Sequence, residues 1–138
     1  MHRQKTILYV DDYADNRRLI QHILEAAGYV VIQAGDGGEA LQLMESTRPD
    51  LALIDLHLPD VNGYELGARL RALPGCRSMP IISITAGDHD REAAASTPGD
   101  GYIQKPFELE QLLLMIRNQL GGGPKPRISQ STKPRASV

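Results

Sequence analysis

Residues 51–54 read Leu-Ala-Leu-Ile and are followed at once by Asp55. A short unbroken apolar run of this kind fits a central strand of a parallel sheet covered on both faces, because a strand with one wet face would alternate. The strand cannot extend far beyond the acid. Pro59 has no N–H to give to a ladder, and Asp60, Asn62 and Gly63 are turn formers, so a loop must separate this strand from the helix that follows. Asp55 is thereby left at the carboxyl end of a buried strand, the edge at which open α/β sheets bind their ligands.

The rest of the chain repeats the pattern. Strands are expected over residues 6–10, 30–34, 50–54 and 80–84, with a short one at Tyr102 and Ile103. Between them, apolar residues recur at helical spacing. Ile20, Ile23, Leu24 and Ala27 define a helix over residues 14–27 that Gly28 ends. Asp36 with Glu39 makes a capping-box start for a second helix, carried by Ala40, Leu43, Met44 and Thr47 toward Pro49. Leu66, Leu70 and Leu73 give a third, stopped by Pro74 and Gly75. Leu109, Leu112, Leu113, Ile116 and Leu120 stripe a last one, ended by Gly121. Residues 88–97 favour helix through Glu92 and three alanines but carry no large apolar side chain, so this element is expected to hold weakly to the sheet and to be the most mobile. Strict alternation with right-handed crossovers predicts an α/β fold: a five-stranded parallel doubly wound sheet in the order 2-1-3-4-5 with helices on both faces.

Length and charge narrow the function classes. A chain of 138 residues reads as one domain, here residues 1–120, able to bury roughly two-thirds of its unfolded surface without staples. Cys76 is the single cysteine, so no internal disulfide forms, and no charged-then-apolar leader or long apolar run points to export or a membrane. A cytoplasmic location is the expectation. The net charge of −2 conceals an asymmetry: residues 121–138 hold four of the 15 basic groups and none of the 17 acids, leaving 11 against 17 over residues 1–120, or −6. So acidic a domain does not suit nucleic acid, while the basic Gly/Pro/Ser-rich tail reads as a disordered terminus or linker.

In the 2-1-3-4-5 order, strands one and three flank the point where the winding reverses, so Asp11, Asp12 and Asp55 are expected to converge there. Three close carboxylates repel unless some are protonated or a cation lies among them. A hard divalent ion is the simpler answer, and Mg²⁺ suits all-oxygen ligands better than zinc, since no cysteine and only His57 lie near. The fourth strand leads into Thr85 and the fifth into Lys105, which add a hydroxyl and an ammonium. Together these groups describe a holder for a phosphoryl group, with a carboxylate able to act as nucleophile. Each residue alone has a plainer reading. Asp55 could be a turn residue, Asp11 and Asp12 helix-start acids (as Asp15 and Asp36 are read), Lys105 a surface lysine, Thr85 a β-branched strand end, and Tyr102 a half-buried aromatic. His2, His22 and His89 read as surface residues, and Met44, Met79 and Met115 as core filler.

These residues resemble the receiver domains of two-component response regulators, including the single-domain members. The match runs from about Lys5 to Leu120 and rests on Asp11-Asp12, on Asp55 with Leu58-Pro59 and Gly63, on Thr85-Ala86, and on Lys105-Pro106-Phe107. The resemblance implies that Asp55 is the phosphoacceptor, that Asp12 and the backbone carbonyl of His57 ligate Mg²⁺ directly, and that Asp11 does so through water. It implies that Thr85 and Lys105 hold the phosphoryl oxygens and that Tyr102 is the switch aromatic. It implies a cis bond between Lys105 and Pro106, and that positions 57 and 87 flank the path of the water that hydrolyses the phosphoryl group, where Gly87 leaves its side open and His57 blocks the other side or positions the water. The segment between Thr85 and Lys105 is about half a helical turn short of the usual length and is interrupted by Pro98-Gly99, so the usual output face, the fourth helix with the fifth strand and last helix, is not carried over.

The function expected is a phosphorylation-dependent switch, not an enzyme in the ordinary sense although it assists its own phosphorylation and hydrolysis. The expected partners are a sensor histidine kinase or phosphotransfer protein as donor and a downstream protein as target, without nucleic acid or membrane, in a monomer or weak dimer. With no effector domain after Leu120, output is expected through protein contacts or a domain elsewhere. Two alternatives are a receiver-like interaction module without phosphotransfer, which the complete acid set disfavours, and an aspartate-nucleophile phosphohydrolase, which would want Asp-x-Asp after the first strand and a cap domain. A flavin carrier would need hydroxyl and glycine phosphate contacts where this chain has Asp11, Asp12 and Asp15.

Overall fold

The computed structural model describes residues 4–85 and 101–121. The elements run β1 (Thr6–Val10), α1 (Ala14–Ala26), β2 (Val30–Ala34), α2 (Gly37–Leu43), β3 (Leu51–Asp55), α3 (Gly63–Arg71), β4 (Ile81–Thr85), β5 (Gly101–Gln104) and α4 (Leu109–Leu120). All strand pairs are parallel, in the order β2-β1-β3-β4-β5. The α/β doubly wound sheet expected from the sequence is therefore the fold. The expected helix over residues 88–97 and the tail from residue 122 lie outside the described residues.

The central strand is apolar throughout because neither face meets water. Leu51 and Leu53 join Ile7, Tyr9, Ile82 and Ile84 in one core layer closed by Ile20 and Leu24 of α1 and Leu112 and Ile116 of α4. Ala52 and Ile54 join Leu8, Val10 and Ile81 in the other, closed by Ala40 of α2 and Leu66 and Leu70 of α3. Each fully buried leucine or isoleucine contributes about 1.5–3 kcal/mol relative to an exposed one. The edge strands β2 and β5 keep exposed residues in Val30 and Tyr102. Met44 and Met79 are core residues, and Met115 packs partly buried against α4's layer.

Local chemistry sets the helix ends. After α1, Gly28 takes φ +101°, its N–H bonding the Glu25 carbonyl while the Tyr29 N–H reaches back to Leu24. This paired return closes the last turn and needs a left-handed residue, which glycine supplies without steric cost. At α2, Asp36 caps the Glu39 N–H at 2.8 Å, but the Glu39 carboxylate takes the Gly35 N–H rather than that of Asp36, so the expected capping box closes one residue early. The helix stops at Leu43, where the Thr47 hydroxyl takes the Leu43 carbonyl at 2.7 Å, short of the expected run toward Pro49.

One glycine is fixed by a close approach. A Cβ at Gly63 would lie 2.7 Å from Leu56 Cα and 2.8 Å from the Asp55 carbonyl oxygen. Its N–H bonds the Leu56 carbonyl, and Asn62 caps the Glu65 N–H, so α3 starts hard against the end of β3. Gly63→Ala is expected to destabilise the protein by about 1–3 kcal/mol through overpacking against backbone that cannot yield. Urea unfolding measures it, and a loss no larger than that of an exposed helical Gly→Ala change would show that the approach is not constraining.

Candidate functional site

The sheet register assembles the rim. Val10 pairs with Ile54 and Asp55 with Ile84, so Asp11, Asp55 and Thr85 leave three adjacent strands at nearly the same level. Apart from the phenol of Tyr9, Asp11, Asp55 and Thr85 are the buried polar or charged side chains among the described residues. Three such groups at one edge of an otherwise apolar interior mark the rim as the chemical end of the fold.

Asp55 is 5% exposed. Its Oδ1 accepts the His57 N–H at 2.9 Å, and its Oδ2 accepts from Lys105 Nζ at 3.1 Å. The lysine arrives from β5. Its own N–H bonds the Thr85 carbonyl at 2.8 Å, and the Lys105–Pro106 peptide is cis, as the resemblance implied. Thr85 is fully buried and its hydroxyl has no hydrogen-bond partner among the described residues. A buried donor left unpaired costs about 1–3 kcal/mol, which a ligand oxygen reaching it would recover. His57 is exposed, Tyr102 lies exposed on the edge strand opposite Ser83, and Gly87 falls outside the described residues.

Among the described residues no group of three acids, histidines or cysteines is gathered as a metal cage by side chains alone. The reason is local. Asp11 is 1% exposed and its carboxylate is held by other donors, Oδ1 by the Tyr13 N–H at 3.0 Å and Oδ2 by the Tyr9 hydroxyl at 2.6 Å and Asn16 Nδ2 at 3.3 Å. Asp12 is exposed. The remaining donors still fit Mg²⁺, which keeps several of its waters and asks for only one or two carboxylates. Asp12, Asp55 and the His57 carbonyl are hard oxygen ligands of the right kind, with Asp11 behind them. They would hold the ion where it offsets charge on a transferring group.

Three neighbours of the rim escaped the sequence reading. Tyr9 carries a buried phenol that had to find a partner. Asn16 closes on Asp11, and Arg17 Nη1 donates to the Asp11 carbonyl at 2.6 Å. The signal for Arg17 was present: it sits three residues before Ile20 and seven before Leu24, on the buried stripe of α1, where a charge has to be turned toward an acceptor. Asp60 is a fourth tether. Its carboxylate accepts the N–H groups of Gly37 and Gly38 at 2.9 and 3.0 Å and ties the β3–α3 loop to the start of α2.

A model of the response regulator receiver domain family matches residues 7–117, and the chain belongs to that family. It is 35% identical over 121 residues to the polar-differentiation response regulator DivK of Brucella anthropi, covering 85% of this chain and 97% of DivK. In structure it is similar to a response regulator from Chloroflexus aurantiacus, with a TM-score of 0.81 at 35% identity over 86% of this chain and 99% of that one. It is also similar to the response regulator TrrA of Thermotoga maritima in complex with Mg²⁺ and BeF, with a TM-score of 0.77 at 32% identity over 85% and 100% of the two chains.

The hydrogen bonds from Gly37 and Gly38 hold the Asp60 carboxyl below its ordinary value of 3.8. A depressed folded value means that the stabilisation is present above the unfolded value and is lost as pH falls through the folded one. Asp60→Asn is expected to flatten the acid limb of the stability curve below about pH 4, leaving the neutral region less stable than wild type. Urea midpoints from pH 2 to 7 measure this, and superimposable acid limbs would mean that the tether does not form in solution.

Proposed function

We propose that this protein is a phosphorylation-dependent signalling switch whose phosphoacceptor is Asp55. The donor is the phosphohistidine of a sensor histidine kinase or phosphotransfer protein. The observation that carries the reading is the pairing of a buried carboxylate with the Lys105 ammonium at 3.1 Å, beside a buried Thr85 hydroxyl that has no partner. A structural ion pair needs no vacant donor beside it. A phosphoryl-accepting site does, because the incoming oxygens need donors that the carboxylate alone leaves unused.

In the transfer step an Asp55 carboxylate oxygen attacks phosphorus. An O–P bond forms and the P–N bond to the donor imidazole breaks, so the electron pair leaves with the imidazole, which takes a proton from solvent. Bound Mg²⁺ supplies charge neutralisation on the phosphoryl oxygens. Lys105 follows the negative charge from the carboxylate to a phosphoryl oxygen, and the Thr85 hydroxyl donates to another. Loss of the acyl phosphate is hydrolysis, in which water attacks phosphorus and the Asp55 carboxylate is restored.

The output follows from what those two groups are attached to. Thr85 ends β4 and pairs with Gln104 in β5, two residues from Tyr102. A pull on Thr85 is therefore felt at the exposed edge strand, where Tyr102 changes the surface offered to a downstream protein. The reading is of a cytoplasmic protein acting as a monomer or weak dimer; no described helix is long and apolar enough to cross a membrane.

Incubation with acetyl phosphate and Mg²⁺ is expected to add one phosphoryl group to wild type and none to Asp55→Asn, read by intact-mass spectrometry. Lys105→Ala should slow the gain by about a hundredfold, the scale of removing one charge-stabilising donor. An equal mass gain in wild type and Asp55→Asn would sink the assignment.

A further inference from the structure

Tyr9 is 2% exposed in the middle of β1, packed in the same core layer as Ile20, Leu24, Leu53 and Ile82. Phenylalanine would fill that space without burying a hydroxyl, and a buried hydroxyl is costly unless it is bonded. Its bond here is short, 2.6 Å to Asp11 Oδ2, in the range of hydrogen bonds to a charged oxygen.

Counting acceptor sites gives the bond its meaning. An ionised carboxylate offers about four lone-pair directions. Tyr9, Tyr13 and Asn16 occupy three of those on Asp11. Arg17 donates to the Asp11 backbone carbonyl and not to its carboxylate. Among the described residues, what remains is one lone-pair direction on Oδ1, open toward a neighbouring cation and its waters.

We propose that Tyr9 is a positioning residue that fixes the orientation of the Asp11 carboxylate toward the rim cation. This rests on the Mg²⁺-dependent reading above and extends it to a residue in the core. Tyr9 touches neither phosphoryl group nor metal and acts through Asp11 alone.

The test is a double-mutant cycle on Mg²⁺ affinity of the full unphosphorylated chain, measured by titration calorimetry with Tyr9→Phe, Asp11→Asn and the pair. Tyr9→Phe is expected to weaken binding about tenfold, the lower end for loss of a partner behind a metal ligand. The double variant should bind no more weakly than Asp11→Asn, because the charge that Tyr9 positions is already gone. Unchanged or tighter binding in Tyr9→Phe, or additive losses, would overturn the proposal. Wild type failing to bind Mg²⁺ at all would instead fail the function proposed above. Should Tyr9→Phe not fold, the ¹³Cζ resonance of Tyr9 decides: it is expected to move on Mg²⁺ addition in wild type and stay still in Asp11→Asn, and a stationary wild-type resonance overturns the inference.

Discussion

A carboxylate at the end of a strand that is buried on both faces has to be compensated, and the rest of the rim follows from how Asp55 meets that demand. Its charge sits 5% exposed, with one oxygen on the His57 N–H and the other on Lys105. Pairs of this kind are weak sources of stability, because the cost of removing both ions from water consumes much of their attraction. Removing one partner is different: it strands the other charge, at about 3–5 kcal/mol for a fully buried pair, and less here because the lysine side chain is 38% exposed. The pair is thus a poor structural brace and a good sensor. Anything that changes the charge on Asp55 changes where Lys105 is held.

The backbone makes that sensor mechanical. Lys105 and Thr85 are joined by the Lys105 N–H on the Thr85 carbonyl, so the lysine that holds Asp55 and the buried Thr85 hydroxyl belong to one β4–β5 unit. On the other side, Gly63 packs α3 against the Asp55 carbonyl and Asp60 ties the intervening loop to α2. Asp55 therefore stands between a side that is pinned by close packing and a side held through the Lys105 side chain. A phosphoryl group on Asp55, as proposed, would find its donors on the second side, which is also the side with an exposed aromatic, Tyr102, at the sheet edge.

Much of this was legible in the sequence because period and position carry it. The unbroken run before Asp55 marks a strand covered twice, and the strand ends before Asp12, Thr85 and Lys105 mark one rim once the strand order is set. What the sequence could not give was the direction in which a carboxylate turns. Asp11 and Asp12 are adjacent and alike in type, yet one is buried under Tyr9, Tyr13 and Asn16 and the other is exposed. That difference depends on a phenol two residues upstream and on the first turn of α1, donors whose reach is set in three dimensions. The capping box of Asp36 and Glu39 shifted for the same reason, since its second half depended on where Gly35 placed its N–H.

The most direct test is a crystal structure of this protein with Mg²⁺ and beryllium fluoride, whose tetrahedral group stands in for a phosphoryl group. The expected result is the group bonded to an Asp55 oxygen, with Lys105 Nζ and Thr85 Oγ1 each on one of its fluorides and Lys105 moved off the carboxylate. A group bound away from Asp55, or bound there with the Thr85 hydroxyl still unpartnered, would contradict the coupling of Asp55 to the β4–β5 edge.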